Sequence, residues 1–458
     1  MFSIITLLIS AASLLIAHRL LINNKRKDDI TSYIMKAMAI ALVALGIFRY
    51  FLSDAFVEVA TSPLYAPQQS VARWLYYIGY AILPISVFSD SRLFRNLSTV
   101  VCLPASILST LLFDDTMKYF LMPEGGGFTL PIPMRYIVYI AELSLAILIP
   151  LMTLLLRGHR VNFKDRREVA STVIAIPAML TVMMPVYIPQ SLIGYTSISA
   201  DAFSTLHLGW IAFMILEIAV IILYFKRRPM KDRHLMLVFM TIAQVFNSMS
   251  ALLRGFKLHR LPLQLCSIAA FFYLVAVLTK NKRLFHFCFI ANTVGGAIAI
   301  ALADFSTEAL CFWNVHYMHE HTFVMVVPIV ALALGVFPRV EWRSMLTVLK
   351  IFSIYFVCCL VFGTIINGYA DVIGHSINFF YMLDVEIALD YLPFATFVGL
   401  VEWRFGKFVV YPILVLSVYL IFGALCMIFF LAMLLGYKVK DKFSKSGDES
   451  GEKQTIVV

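Results

Sequence analysis

The chain has 458 residues, 61% of them hydrophobic and 14% charged, with a formal net charge of +10. That balance excludes a soluble globular protein, and it excludes a nucleic-acid footprint as well. The lysines and arginines sit in short loops between apolar runs, where orientation signals of membrane proteins lie. Apolar runs of about 18–25 residues recur along the whole length, enough for a helix to cross ~30 Å of hydrocarbon. Few of them alternate with period two, so a barrel is not indicated. In lipid the backbone must satisfy its own hydrogen bonds. The fold class expected is therefore all-α, a polytopic transmembrane helical bundle.

Residues 1–22 are apolar from the second position and lack a basic n-region, which reads as a retained first helix. Further spans are expected near 30–52, 72–89, 98–113, 132–156, 169–188, 208–225, 234–253, 261–278, 284–303, 321–337, 345–366 and 411–435, about thirteen in all. Basic loops alternate with neutral or acidic ones. Lys25 to Lys27, Arg92 to Arg95, Arg157 to Arg167, Lys226 to Arg233, Lys280 to Arg283 and Pro338 to Arg343 fall on one side. Positive loops stay cytoplasmic, which predicts a multi-pass cell-membrane protein with its N-terminus outside and its tail inside. The basic loop Arg254 to Arg260 breaks this pattern on the outer side, and an anionic lipid headgroup is one reason it could do so.

The loop from Asn367 to Phe408 is too apolar for a linker and reads as an interfacial or re-entrant element. The tail, 436–458, is Lys, Ser, Asp, Glu and Gly with almost nothing apolar, and predicts disorder and a cytoplasmic location.

The two halves share short matches in order. Asp90-Ser91-Arg92-Leu93-Phe94 reads against Asn281-Lys282-Arg283-Leu284-Phe285. Tyr139-Ile140-Ala141-Glu142 followed by Pro150 reads against Tyr317-Met318-His319-Glu320 followed by Pro328. Both copies would face the same way across the membrane, a parallel internal repeat. The division expected is a degenerate first repeat over 1–207, a second repeat with the candidate site over 208–435, and the tail. Leu75 stands opposite Cys266 and Leu143 opposite His321, so the second half keeps the reactive groups.

Cys266 lies in the first turns of its expected helix, where the positive end of the helix dipole favours thiolate, and Arg254, Lys257, His259 and Arg260 push the same way. His321 is expected to open a helix on the same face and could act as general base and then general acid. The plainer alternative is that Cys266 is one of seven small interior fillers and His321 an interface residue. His316, His319 and Glu320 share a face if helical, but no known metal spacing is matched, so no metal and no cofactor are expected. Glu142, Glu217, Lys350, Gln244, Asn247 and Asn292 are polar groups inside spans, each a functional candidate or an interhelical hydrogen-bonding group.

Leu261-Pro262-Leu263-Gln264-Leu265-Cys266, Leu278 to Phe285, His321 with Val326-Val327-Pro328-Ile329, and Asn378 with Tyr381-Met382-Leu383 resemble the YwaF family of bacterial integral membrane proteins. The resemblance covers about 208–435. That family is similar to a transmembrane acyltransferase that forms plasmalogens by moving an acyl chain between phospholipids with a cysteine and a histidine. The resemblance implies Cys266 as nucleophile and His321 as base. Asn378 and Tyr381 would then be headgroup or mouth contacts; Arg260 of the basic outer loop and the intramembrane Glu320 are further candidate substrate contacts, and membrane lipids the expected partners. The chain has Gln264 where the family usually has histidine and Ser267 where it usually has aspartate. A transporter or lipid scramblase built on the repeat, and a membrane scaffold without turnover, are the other readings. The sequence leaves the oligomeric state open.

Overall fold

The computed structural model describes residues 2–52, 79–112, 131–182, 199–200, 202–249, 261–301, 303, 305–308, 312–386, 388, 395–398 and 401–452. In chain order its long helices are α1 (Phe2–Leu21), α2 (Lys27–Leu52), α3 (Gly79–Phe88), α4 (Arg92–Leu111), α5 (Ile132–Leu155), α6 (Arg166–Val182) and α7 (Thr205–Phe225). They continue as α8 (Met230–Met249), α9 (Leu265–Thr279), α10 (Lys282–Ala301), α11 (Phe312–Ala333), α12 (Trp342–Asn367) and α13 (Pro412–Glu452). Strands are confined to two short antiparallel pairs among the described residues, β1 (Ser199–Ala200) with β2 (Phe305–Glu308) and β3 (Trp403–Phe405) with β4 (Phe408–Val410). The protein is an all-α helical membrane protein. Among the described residues, 8 helices are long and apolar enough to cross a bilayer.

Helix ends follow local chemistry. The Asn281 side chain accepts from the N–H groups of Arg283 and Leu284 and opens α10, while Lys280, at φ +53°, closes α9 in the left-handed region. Glu341 and Ser344 form a reciprocal capping box at the start of α12.

The chain packs as two compact units, Met1–Pro262 with Ala299–Val336, and Leu263–Ile298 with Phe337–Val458. They are defined by packing and cut the chain elsewhere than at residue 207. In the first unit α5 packs on α1, α2 and α4, and α11 packs on α7 and α8. In the second, α10 packs on α9 and α12, and rings of Phe352, Phe356, Phe380, Tyr419 and Phe422 form one aromatic cluster.

One irregularity occurs twice. α4 is six α residues, five π residues (Ser98–Cys102) and nine α residues. α10 is six α residues, five π residues (Cys288–Asn292) and nine α residues. A π-turn inside a helix is rare and frees a carbonyl from the regular ladder. In α10 the Tyr273 hydroxyl donates to the Cys288 carbonyl at 3.0 Å. Each of these helices is also tied to a loop, through mirror-image partners. His159 in the loop meets Asn96 Oδ1 of α4 at 2.8 Å, whereas His286 of α10 meets the Pro338 carbonyl in the loop at 3.2 Å.

Two expectations are corrected. His321 does not open a helix: α11 begins at Phe312, and His316, His319 and Glu320 lie inside it, buried. Hydropathy missed this because the polar residues face a polar stripe on α8, not water. The tail is not disordered from 436. α13 runs on to Glu452, and Arg339 bonds Asp441 at 2.8 Å while its guanidinium stands 5.0 Å from the Tyr437 ring. The loop Arg254 to Arg260, Leu75, Cys311 and residues 453–458 lie outside the described residues.

Candidate functional site

Cys266 is the second residue of α9, two positions after its N-cap Gln264, whose side chain makes no capping bond. The thiol is half-buried, on the stripe that continues through Ala269, Ala270 and Tyr273, which are buried. The turn that leads into α9 is held from α12. The Leu263 carbonyl accepts the Tyr355 hydroxyl proton and lies 3.9 Å from Cys359 Sγ. Cys266 thus sits at a helix N-terminus whose entering turn is anchored to α12, in the second unit.

His321 is a residue of the first unit, in the third turn of α11. Its Nδ1 lies 2.7 Å from the Tyr317 carbonyl, and its ring centroid is 4.1 Å from that of Tyr317, tilted by 38°. A carbonyl only accepts, so Nδ1 carries the proton and Nε2 is the basic nitrogen. That is the tautomer a general base needs.

The neighbouring polar residues are held by α8. Glu320 is buried; its Oε1 accepts from Ser248 Oγ at 2.8 Å, and Gln244 Nε2 donates to its backbone carbonyl at 3.3 Å. His316 Nε2 donates to the Asn247 carbonyl at 3.0 Å. His319 stacks on Phe323, and Trp210 of α7 donates to Thr322 Oγ1 at 2.8 Å. Gln244, Asn247 and Ser248 recur at helical spacing in an otherwise apolar run, and that spacing is the signal by which Glu320's partners could have been found. Among the described residues no group of three or more His, Cys, Asp or Glu side chains is placed to hold a metal ion.

The turn after α12 holds two further sequence candidates, and its Phe380 ring packs on Tyr355. Asn378 shapes its own loop: Oδ1 accepts from the N–H groups of Leu383 and Asp384, and Nδ2 donates to the Asp384 carbonyl. Tyr381 is exposed in the same turn, where both Phe380 and Tyr381 have positive φ. Arg260 lies outside the described residues.

A family model described as the TMEM164 family matches residues 202–433, just over half of the chain. The chain belongs to the TMEM164 family. The stretch matched to the TMEM164 family begins ahead of α7 and ends within α13, so it contains Cys266, His321, Glu320, Asn378 and Tyr381. No curated protein and no solved structure matches the chain. With its apolar helices, this TMEM164-family member is a multi-pass membrane protein that resides among lipids.

Proposed function

We propose that this TMEM164-family protein transfers or hydrolyses phospholipid acyl chains, with Cys266 as nucleophile and His321 as base. The Cys266 sulfur attacks an ester carbonyl while His321 Nε2 takes the thiol proton. The tetrahedral intermediate expels the lysolipid alkoxide, which receives that proton, and a thioester remains. A second lipid's hydroxyl, or water, then attacks the thioester. Its proton passes by way of His321 back to the departing Cys266 sulfur.

The observation that carries the reading is the His321 tautomer, fixed by the 2.7 Å contact with the Tyr317 carbonyl. The position of Cys266 at a helix N-terminus supports it from the nucleophile's side. The likeness to the YwaF family supports the same pair of roles. The alternation of basic loops supports a site at the outer face, with the N-terminus outside and the C-terminus in the cytoplasm. In vesicles holding phospholipid with a labelled acyl chain, Cys266→Ala and His321→Asn are expected to stop appearance of labelled product. Turnover by Cys266→Ala at the wild-type rate would overturn the proposal.

A second reading, lipid scrambling or transport on a duplicated bundle, is favoured by a different observation. The six–five–nine pattern recurs in α4 and α10, and buried Glu142 and Glu320 each precede an intrahelical proline by the same spacing. Lipid flux that survives Cys266→Ala and fails with Glu142→Gln distinguishes it from the acyl-transfer reading.

A further inference from the structure

The segment between α12 and α13 ends in a β-hairpin whose partner no part of the proposed chemistry supplies. β3 and β4 pair Trp403 with Val410, Arg404 with Val409 and Phe405 with Phe408, turning at Gly406 (φ +63°) and Lys407. Cross-strand partners point the same way, so Trp403, Phe405, Phe408 and Val410 form one face, and Arg404 and Val409 the other.

An isolated two-stranded hairpin is marginal in water and needs a surface to rest on. Among the described residues β4 has one: it packs on α12 and is half-buried throughout, and Phe408 meets the Tyr369 ring edge-on at 6.3 Å, over Gly368, whose missing Cβ leaves it room. Lys407 Nζ stands 2.8 Å above the Tyr369 ring centroid. The β3 half of the apolar face is exposed, Trp403 by 55% and Phe405 by 63%.

We propose that this face docks on a phospholipid surface, in the layer between headgroups and acyl chains, with Arg404, paired with Glu402, and Lys407, seated over Tyr369, at the headgroup edge. Continuity fixes the place. Tyr369 lies two residues past the end of α12 and Val410 two residues before α13, and both helices have the length and apolarity to cross a bilayer. The hairpin is therefore tethered at a membrane boundary from both ends. Composition fixes the occupant: an aromatic ring with a polar edge and flanking cations is what the bilayer interface selects. A protein partner would equally cover the rings, but it would shield them from lipid.

The test uses the full-length protein in phosphatidylcholine vesicles, with Trp403 emission taken as the difference between wild type and Trp403→Phe. Bromines on the upper acyl chain are expected to halve that component, roughly a twofold loss, while aqueous iodide leaves it nearly unchanged. Phe405→Asp should lift the face into water and raise iodide quenching of Trp403 about twofold. Quenching of wild-type Trp403 by iodide and not by brominated lipid would overturn the proposal. So would shielding from both quenchers, which a protein partner would produce. Neither result depends on acyl-chain turnover, so the acyl-transfer reading stands or falls separately.

Discussion

Ser248 and Glu320 meet at 2.8 Å inside the first unit, and the magnitude of that contact can be bracketed. Hydrogen bonds to charged groups contribute about 1.5–3 kcal/mol, whereas interhelical polar pairs in membranes average ~0.6 kcal/mol. Because Glu320 is buried, Ser248→Ala leaves an acceptor short of a donor, which points to a loss of about 1–2 kcal/mol. Equilibrium unfolding in mixed detergent measures it, and Ser248→Thr should recover most of the loss. A Ser248→Ala protein as stable as wild type would show that the contact contributes nothing. The sequence made Glu320, His316 and His321 visible as polar residues crowded into one short run. It did not reveal that α8 supplies their partners, because a pairing between helices distant in the chain leaves no local pattern.

The helix carrying the π-turn and the loop that returns to it form the next level. Tyr273 donates to the Cys288 carbonyl, so Tyr273→Phe should lower stability by about 1 kcal/mol. Deleting Ile290 should do far more. It converts the π-turn to ordinary helix and rotates one half of α10 against the other by ~100°, turning buried faces outward. Loss of folded protein on size-exclusion chromatography is the expected result. The matching device in the first unit titrates. Burial would raise the Glu168 carboxyl, but hydrogen bonds from Arg92, Asn96 and the Asn162 N–H outweigh it and hold the group below its ordinary value. Burial first, then Arg92 and Arg95, hold His159 below its usual 6.5. A histidine depressed in the fold stays neutral while the unfolded chain takes up a proton. Stability is therefore flat above that value and falls as pH drops through it, and Glu168 adds its own loss at more acid pH. Melting temperatures from pH 8 to 5 should show the decline, and His159→Gln should flatten the part nearest neutrality.

For the molecule as a whole, most of the helical architecture was legible in the sequence. Each expected span carries a helix among the described residues, because ~20-residue apolar runs leave the chain no other choice. Helix ends were less legible where polar residues continue a helix, as at His316 to Glu320 and after Gly436, since hydropathy measures transfer to lipid and not backbone hydrogen bonding. The stretch matched to the TMEM164 family also leans on what precedes it. Ser91 Oγ donates to Asp232 at 2.8 Å, the Tyr224 hydroxyl bonds the Ser171 carbonyl, and Tyr80 packs on Phe246. A fragment of residues 202–458 should therefore aggregate under conditions in which the full chain is monodisperse, as size-exclusion chromatography with light scattering would report. A stable, monodisperse fragment would show that the second half folds alone. The final helix carries a further implication. At 41 residues α13 measures about 60 Å, twice the thickness of the hydrocarbon layer. Arg339 grips it at Tyr437 and Asp441, near where the apolar residues give out. The end of α13 is thus a rod and not a string, and a probe inserted at Glu452 would swing with every tilt of the last span.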